Sequence, residues 1–152
     1  GGKQMSLRLI NTETSQLIRE VSRKLDSILF PISDNNNLTI MKMKVLMEVS
    51  KQGRVNIGEI GQSLGVAGGN ISNMCKNLEN EGYLVRERSQ DDERVGEVSL
   101  TDKGEKVLDQ VRTQINDKYH PYDANITDNE YKSIVDSLRS LNKHLDNLLE
   151  YK

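Results

Sequence analysis

The sequence is poor in cysteine and in aromatic residues, and it has no long hydrophobic run. The single cysteine, Cys75, excludes an internal disulfide framework and is typical of a protein that works in the reducing cytoplasm. No apolar run approaches the roughly 18 residues of a membrane span, so we expect no membrane partner. Only 4% of the residues are aromatic, against 35% hydrophobic and 29% charged. These proportions indicate a globular, helix-rich chain with a small core and much exposed surface.

Residue patterns typical of catalysis or metal binding are also missing. His120 and His144 have no cysteine or carboxylate cluster at the spacing of metal ligands. No glycine-rich phosphate loop follows a predicted strand, and the predicted fold brings together no Ser/His/Asp or Cys/His set. We therefore expect neither an enzyme nor a site for a metal or cofactor.

At 152 residues the chain is long enough for one domain with a real core. Residues 1–5 are expected to be a remnant of the expression vector, and no signal peptide is visible. The net charge is −2, but it is uneven, because residues 1–53 carry 8 Lys/Arg against 5 Asp/Glu while residues 54–100 carry 5 against 8. A DNA footprint is local, so the net charge neither predicts nor excludes nucleic-acid binding.

The first third of the chain predicts two helices. The first is one long amphipathic helix ending at Phe30-Pro31, with apolar positions at Leu7, Ile10, Leu17, Val21, Leu25 and Ile28. The polar stretch "SDNNN" is predicted to be a loop. Thr39 is a good N-cap for the second helix, which ends near Gly53 and has Met43, Leu46 and Met47 facing inward.

Two short helices and a hairpin are predicted next. Asn56 and Glu59 resemble a capping box for a helix over 57–64, and Gly65 ends it. A helix over 68–81 follows, and its buried face holds Ile71, Met74, Cys75 and Leu78. The period then changes to two, so that 83–88 and 96–100 read as paired strands with Val98 and Leu100 on one face. The charged stretch between them is the predicted tip.

Two longer helices complete the chain. Thr101 caps one that ends at His120-Pro121, and Thr127 with Glu130 forms a capping box for the last. Apolar residues of the last helix alternate at three- and four-residue steps, which is a heptad seam: Tyr131, Ile134, Leu138, Leu141, Leu145 and Leu148. The predicted fold class is mainly α with a small β-hairpin wing, a winged helix-turn-helix flanked by N- and C-terminal dimerisation helices.

The helices over 57–64 and 68–81 suit a helix-turn-helix, in which the second helix presents side chains to DNA bases. Gly61 allows close helix approach and Gly65 turns the chain. The candidates for DNA contact on the outer face are Gly69, Asn70, Ser72, Asn73 and Lys76. Asparagine suits bidentate recognition of adenine, while serine and lysine suit phosphates or bases. An ordinary polar helix face is the alternative interpretation.

Several motifs together resemble the MarR-type family of dimeric winged-helix transcription regulators. They are "IGEIGQSLGV", the block 81–86, Asp92-Glu93-Arg94 and "VSLTDKG". The family's wing motif is Asp-x-Arg before a strand ending in Leu-Thr-x-x-Gly, and Asp92, Arg94, Leu100, Thr101 and Gly104 match it. The resemblance covers about residues 7–150. It implies that Arg94 enters the DNA minor groove and that Asp92 holds it.

The resemblance also implies an organisation and partners. Residues 6–34 and 118–152 would form a helical dimerisation region, and residues 35–117 the winged-helix DNA-binding domain. A homodimer would bind double-stranded DNA at a pseudo-palindromic site, as a repressor modulated by a small ligand. The candidate dimerisation residues are Leu7, Ile10, Leu17, Val21, Ile134, Leu138, Leu141, Leu145 and Leu148. The candidate ligand-binding residues, which have core packing as the alternative, are Ile10, Leu17, Met43, Met47 and Tyr119.

Two alternatives stay open at this point. Cys75 lies on the predicted recognition helix and could sense oxidants, although its spacing from Ile71 and Leu78 favours a buried, structural role. The acidic balance of residues 54–100 also fits a winged-helix interaction module that does not bind DNA. Acids flank Arg94, and the start "AGGN" lacks a strong helix cap, so weak or effector-tuned DNA binding is expected. Basic residues of the first third could then supply backbone contacts: Arg19, Arg23, Lys24, Lys42 and Lys44.

Overall fold

The computed structural model describes residues 4–88 and 96–151, except for the side chain of Arg88. The helices are α1 (Met5–Ile10), α2 (Thr12–Asn35), α3 (Ile40–Gln52), α4 (Ile57–Leu64), α5 (Gly68–Asn80), α6 (Asp102–Tyr119) and α7 (Asp128–Glu150), with a 3-10 helix at His120–Asn125. The strands are β1 (Arg54–Asn56), β2 (Leu84–Arg88) and β3 (Gly96–Leu100). Among the described helices, none has the length and apolar character needed to cross a membrane.

The chain divides into two compact units. One contains residues 1–26 and 118–152, and the other contains residues 27–117. The second unit holds α3, α4, α5 and the strands β1, β2 and β3, together with the last part of α2 and most of α6. This unit is therefore the one that carries the helix-turn-helix and the hairpin.

The prediction of one unbroken first helix is wrong at Asn11. This residue is extended, with φ −76° and ψ 173°, and separates α1 from α2. Its side-chain oxygen accepts a hydrogen bond from the amide of Thr12 at 2.7 Å. A short polar side chain that bonds to nearby backbone competes with helix, so asparagine favours the helix boundary.

The predicted end at Pro31 is also wrong, because α2 continues through Pro31 to Asn35, so that the predicted loop "SDNNN" is confirmed only at Asn36 and Asn37. Proline loses one helix hydrogen bond, but Ile32 in the next position is buried in the core and holds the last turn in place. The true end is a Schellman motif. Asn37 is left-handed with φ 57°, and the amide of Leu38 donates to the carbonyl of Ser33 at 2.9 Å.

Buried apolar side chains from the helices and strands of the second unit form one core. Its members are Ile32, Leu38, Met43, Val45, Leu46, Val49, Val55, Ile57, Ile60, Ile71, Cys75, Leu78, Leu84, Val98, Val107, Leu108 and Val111. Thr39 caps α3 as predicted, since its hydroxyl accepts from the amide of Lys42 at 3.1 Å. Met47 was predicted to face inward, but it is 38% exposed. The buried stripe of α3 centres on Leu46 and Val49, and at about 100° per residue Met47 lies beyond its edge.

The sheet is antiparallel with the strand order β1-β3-β2. The two strands of the predicted hairpin are confirmed, with Leu84 opposite Leu100 and Arg88 opposite Gly96. Strand β1 was not predicted. It has only three residues, too few to show a period of two, and it pairs through Val55 opposite Val98.

The base of the hairpin is fastened to the turn that follows α5. The Thr101 hydroxyl donates to the carbonyl of Gly82 at 2.5 Å and accepts from the amide of Gly104 at 3.1 Å. Lys103 Nζ donates to the carbonyl of Glu81 at 2.6 Å and lies 4.7 Å from the centre of the Tyr83 ring. These contacts give a physical reason for the spacing of the motifs "EGY" (81–83) and "LTDKG" (100–104). The carbonyl groups of the first motif accept hydrogen bonds that side chains of the second motif donate.

Gly104→Ala is expected to destabilise the protein. A Cβ at this position would overlap the carbonyl oxygen of Tyr83, which is backbone and cannot move away cheaply, and would lie 3.2 Å from Leu100 Cδ2. Overpacking of this kind costs about 1–3 kcal/mol. Gly68→Ala is the matched control, because a Cβ there would meet nothing within 4 Å. Urea unfolding of both variants checks the prediction, and equal stabilities would contradict it.

Candidate nucleic-acid interface

Helices α4 and α5 meet closely at Gly61. A Cβ there would lie 3.0 Å from the carbonyl oxygen of Val66 and 3.1 Å from Ile71 Cγ2. Gly65 is left-handed with φ 68°, and the amide of Val66 donates to the carbonyl of Gly61 at 2.8 Å. The predicted turn is confirmed, and it fixes the orientation of α5 on α4.

The two helices begin differently. Asn56 caps α4, but its side chain accepts from the amide of Gly58 at 2.7 Å, one position earlier than a full capping box requires. Ala67 precedes α5 and makes no side-chain capping bond, in agreement with the predicted absence of a strong cap. A Cβ added at Gly68 or Gly69 would meet nothing within 4 Å. The start of α5 is therefore open space.

Helix α5 separates into a buried face and a polar face. Ile71, Cys75 and Leu78 are buried in the core. Gly69, Asn70, Ser72, Asn73 and Lys76 are all exposed. Within residues 4–88 and 96–151, the side chains of Asn70, Ser72, Asn73 and Lys76 make no hydrogen bond or ion pair, so they are free to meet a ligand.

A groove of about 420 Å³ runs beside this polar face. Its lining comes from α3, α5 and their flanks: Thr39, Met41, Lys42, Val66, Asn70, Asn73, Met74 and Asn77. Asn77 lines this groove and was not among the predicted residues, although it follows Asn73 by four positions and so shares its face. Lys42, a predicted candidate for a backbone contact, is ion-paired with Glu81 at 2.5 Å.

The three strands of the sheet carry charged side chains that pair with one another or with α5. Arg54 on β1 is ion-paired with Glu87 on β2 at 2.9 Å and with Glu97 on β3. Arg86 Nε lies 3.7 Å from the Glu79 carboxylate. Asp92 and Arg94, predicted for the minor groove, lie outside the described residues. Their roles stay predictions.

The predicted dimerisation residues are apolar side chains that their own unit does not bury. Helix α7 has no buried residue. The exposed members of the set are Leu7, Ile10, Leu17, Val21, Ile134, Leu138 and Leu148, and the half-buried members are Leu141 and Leu145.

The predicted ligand-binding residues occupy different environments. Met43 is fully buried in the core, whereas Ile10 and Leu17 are more than half exposed. Met47 is partly exposed, and Tyr119 is half-buried. A role for these five residues in binding a ligand stays a prediction.

Cys75 is completely buried, as its spacing predicted. Burial raises the pKa of its thiol from 9.0 to about 11; the Arg86 charge lowers this pKa and the Glu79 charge raises it, both by smaller amounts. The thiol is therefore protonated at neutral pH and lacks the thiolate character of a reactive cysteine. Among the described residues, no group of three His, Cys, Asp or Glu side chains could hold a metal ion.

The fold and this interface define a helix-turn-helix regulator with a wing. The family model of the transcriptional regulators SarA/Rot matches residues 27–111. The HTH-type transcriptional regulator SarZ of Staphylococcus aureus strain MRSA252 is 30% identical over 115 residues, which cover 73% of this chain and 74% of SarZ. This chain belongs to the SarA/Rot family of transcriptional regulators.

Solved structures agree with the assignment. AbfR, solved bound to DNA in reduced and in overoxidized form, is 26% identical with a TM-score of 0.69, covering 94% of this chain and 98% of AbfR. A cysteine-to-serine mutant of Escherichia coli MarR, solved in complex with operator DNA, has a TM-score of 0.72 at 23% identity. The match covers 84% of this chain and 91% of MarR, and it shows the common fold. The prediction of a MarR-type DNA-binding transcriptional regulator is confirmed.

Cys75 is expected to react slowly with a maleimide in the native protein and quickly after unfolding. Cys75→Ala should cost about 1 kcal/mol, because it leaves a small cavity. Folding raises the pKa of the Cys75 thiol from 9.0 to about 11. The native state therefore keeps its full stability below pH 9 and loses stability as the pH rises from 9 toward 11, where only the unfolded chain readily gives up the thiol proton. The stability difference between the parent and Cys75→Ala should therefore shrink over that range. Fast native-state labelling would show that the thiol is accessible.

Proposed function

We propose that this protein binds a pseudo-palindromic DNA site as a homodimer and represses transcription. In this proposal α5 lies in the major groove and the hairpin β2–β3 lies against the adjacent minor groove. Recognition helices of a two-fold dimer contact half-sites about one helical turn apart. The regulator would act in the cytoplasm.

The observation that carries the proposal is the unengaged polar face of α5. Asn70, Ser72, Asn73 and Lys76 are exposed without partners, while the opposite face is anchored in the core. Direct readout needs donors and acceptors held rigidly and not already satisfied within the protein. Asn70 and Asn73 can each bond bidentately to adenine, and Lys76 can reach a phosphate or a guanine.

The wing supplies a second contact in this proposal. Strand β2 ends at Arg88 and strand β3 begins at Gly96, so the segment that contains Asp92 and Arg94 joins them. An arginine on a short loop suits the narrow, electronegative minor groove of A·T-rich DNA. The roles of both residues rest on the family's wing motif.

Uncovered apolar side chains support a homodimer. Leu138 is 57% exposed and Ile134 is 50% exposed on α7, and Leu17 is 54% exposed on α2. Exposed apolar sets of this size mark interaction surfaces. The heptad spacing of α7 favours another helix as its partner, and a second copy of the chain provides one.

A small-molecule effector is kept as a prediction of the family resemblance. The redox alternative through Cys75 has less support, because that thiol is buried and its pKa is raised. The non-DNA-binding interaction module has no support from the family assignment. The proposal therefore keeps one further function, the control of DNA affinity by a small-molecule ligand.

Asn70→Ala and Asn73→Ala are each expected to weaken binding to DNA from upstream of the protein's own gene by about 1–3 kcal/mol, with the loss confined to particular base pairs. Arg94→Ala should lose most at A·T-rich flanks. Asn129→Ala, an exposed asparagine on α7, is the matched control and should bind like the parent. Gel shifts on wild-type and base-substituted duplexes measure these effects. Equal losses on specific and random DNA would contradict direct readout.

The affinity of the parent should also fall steeply with salt despite the net charge of −2. A dimer that contacts phosphates releases condensed counterions, so log K falls by about 0.9 per phosphate contacted for each decade of salt. Titrations from about 50 to about 200 mM salt check this expectation. An affinity that does not change with salt would argue against phosphate contacts.

Leu138→Glu is expected to shift the protein from dimer to monomer, because it places a charge in the apolar seam of α7. Ser137→Glu, on the polar side of the same helix, is the matched control and should stay dimeric. Light scattering at micromolar concentration gives the masses. A monomeric parent would overturn the homodimer.

A further inference from the structure

The outer face of the sheet holds two carboxylates directly opposite each other. Glu87 on β2 pairs with Glu97 on β3. Val98 points into the core, so its neighbour Glu97 points away from it. Directly opposed residues have their Cβ atoms about 4.5–5.5 Å apart, and like charges at that distance repel. The two carboxylates therefore repel each other on the solvent side of the hairpin.

Arg54 on β1 offsets part of this repulsion, because one positive guanidinium lies between the two carboxylates. It pairs across the sheet with Ser99, two positions from Glu97, and so shares the outer face. Its Nη1 lies 2.9 Å from Glu87 Oε2, and its Nε is ion-paired with Glu97 Oε2. The guanidinium uses two of its donors on two strands, which the single ammonium of a lysine does less well.

The arrangement also links strands that do not pair directly. In the order β1-β3-β2, the central strand β3 separates β1 from β2. Arg54 reaches across β3 to Glu87, so one side chain ties β1, and the start of α4 that follows it, to both strands of the hairpin. Exposed ion pairs contribute little to stability, and the Arg54 side chain is 48% exposed. The main effect of Arg54 is therefore on the local charge.

A DNA phosphate that approaches the hairpin interacts mainly with the charged side chains nearest to it. Two uncompensated carboxylates on the strands of the wing would repel phosphates within a Debye length of about 8 Å at physiological salt. We propose that Arg54 is a positioning residue for DNA binding: its positive charge offsets part of the negative charge of Glu87 and Glu97 beside the DNA, and Arg54 does not itself contact DNA. This inference rests on the proposed function, in which the hairpin lies against DNA.

A direct phosphate contact by Arg54 makes a different prediction from neutralisation. If Arg54 acts through the glutamates, then removing their charge makes its own charge dispensable. If Arg54 binds a phosphate, its loss costs the same affinity in either background. A double-mutant cycle separates the two, because it reports whether the effects of neighbouring changes depend on each other.

The experiment compares the full-length parent, Arg54→Met, the pair Glu87→Gln with Glu97→Gln, and the triple variant. Gel shifts at several salt concentrations use DNA from upstream of the protein's own gene, and thermal unfolding controls for folding. Arg54→Met alone should weaken binding about fivefold to tenfold. The pair of glutamine changes should bind at least as tightly as the parent. In that background Arg54→Met should change the affinity less than about twofold. Arg54→Lys, which keeps the charge, should lie between the parent and Arg54→Met.

Failure of this inference is distinguishable from failure of the proposed function. A parent that binds no DNA overturns both. A parent that binds, with the same loss for Arg54→Met in both backgrounds, overturns only the positioning role and assigns Arg54 to a phosphate. An unchanged affinity for Arg54→Met beside a binding parent also overturns it. If Arg54→Met unfolds, Arg54→Gln, which also removes the charge, provides the same comparison in both backgrounds.

Discussion

The fastening between the turn after α5 and the start of α6 is the constraint on which the interface depends. The hydroxyl of Thr101 bonds to the carbonyl of Gly82, and Gly104 packs against the backbone of Tyr83. Strands β2 and β3 lie between these two points in the chain, so their base is held at a fixed place beside the end of α5. A wing and a recognition helix can contact neighbouring grooves only if their relative orientation is fixed, and these backbone contacts fix it.

Helix α5 meets two demands at once. Its apolar residues anchor it in the core, and close approach to α4 at Gly61 leaves the polar residues on the outer side. Cys75 belongs to the anchoring side, where burial raises its pKa to about 11. In this chain the one cysteine is part of the packing of α5, and its raised pKa keeps the thiol protonated at neutral pH.

Charge acts locally in this protein. The net charge of −2 gives no indication of DNA binding. On the sheet, however, Arg54 faces Glu87 and Glu97, and on α5 the exposed side chains include a lysine and no acid at positions 70, 72, 73 and 76. Screening limits exposed charges to a range of about 8 Å, so the distribution over the interface matters more than the sum over the chain.

Local sequence was enough to determine most of the elements and the polar face of α5. The bounds of α4, the caps Thr39, Thr101 and Thr127, and the buried side of α5 all follow from contacts between residues a few positions apart, which a linear pattern records. The site candidates on α5 were found by the same period of 3.6 residues. Asn77 could have been found in the same way, because it follows Asn73 by four positions on the same helix face.

Tertiary structure decided the features that depend on residues far apart in the chain. Strand β1 exists because Val55 pairs with Val98, and three residues alone carry no periodic signal. Helix α2 continues past Pro31 because Ile32 is buried in a core built mostly from later residues, and Asn36 bonds to Gln114 at 2.9 Å. The ion pairs of Arg54 with Glu87 and Glu97 have the same origin. Such contacts join residues that are distant in the sequence, and only the folded chain brings their partners together.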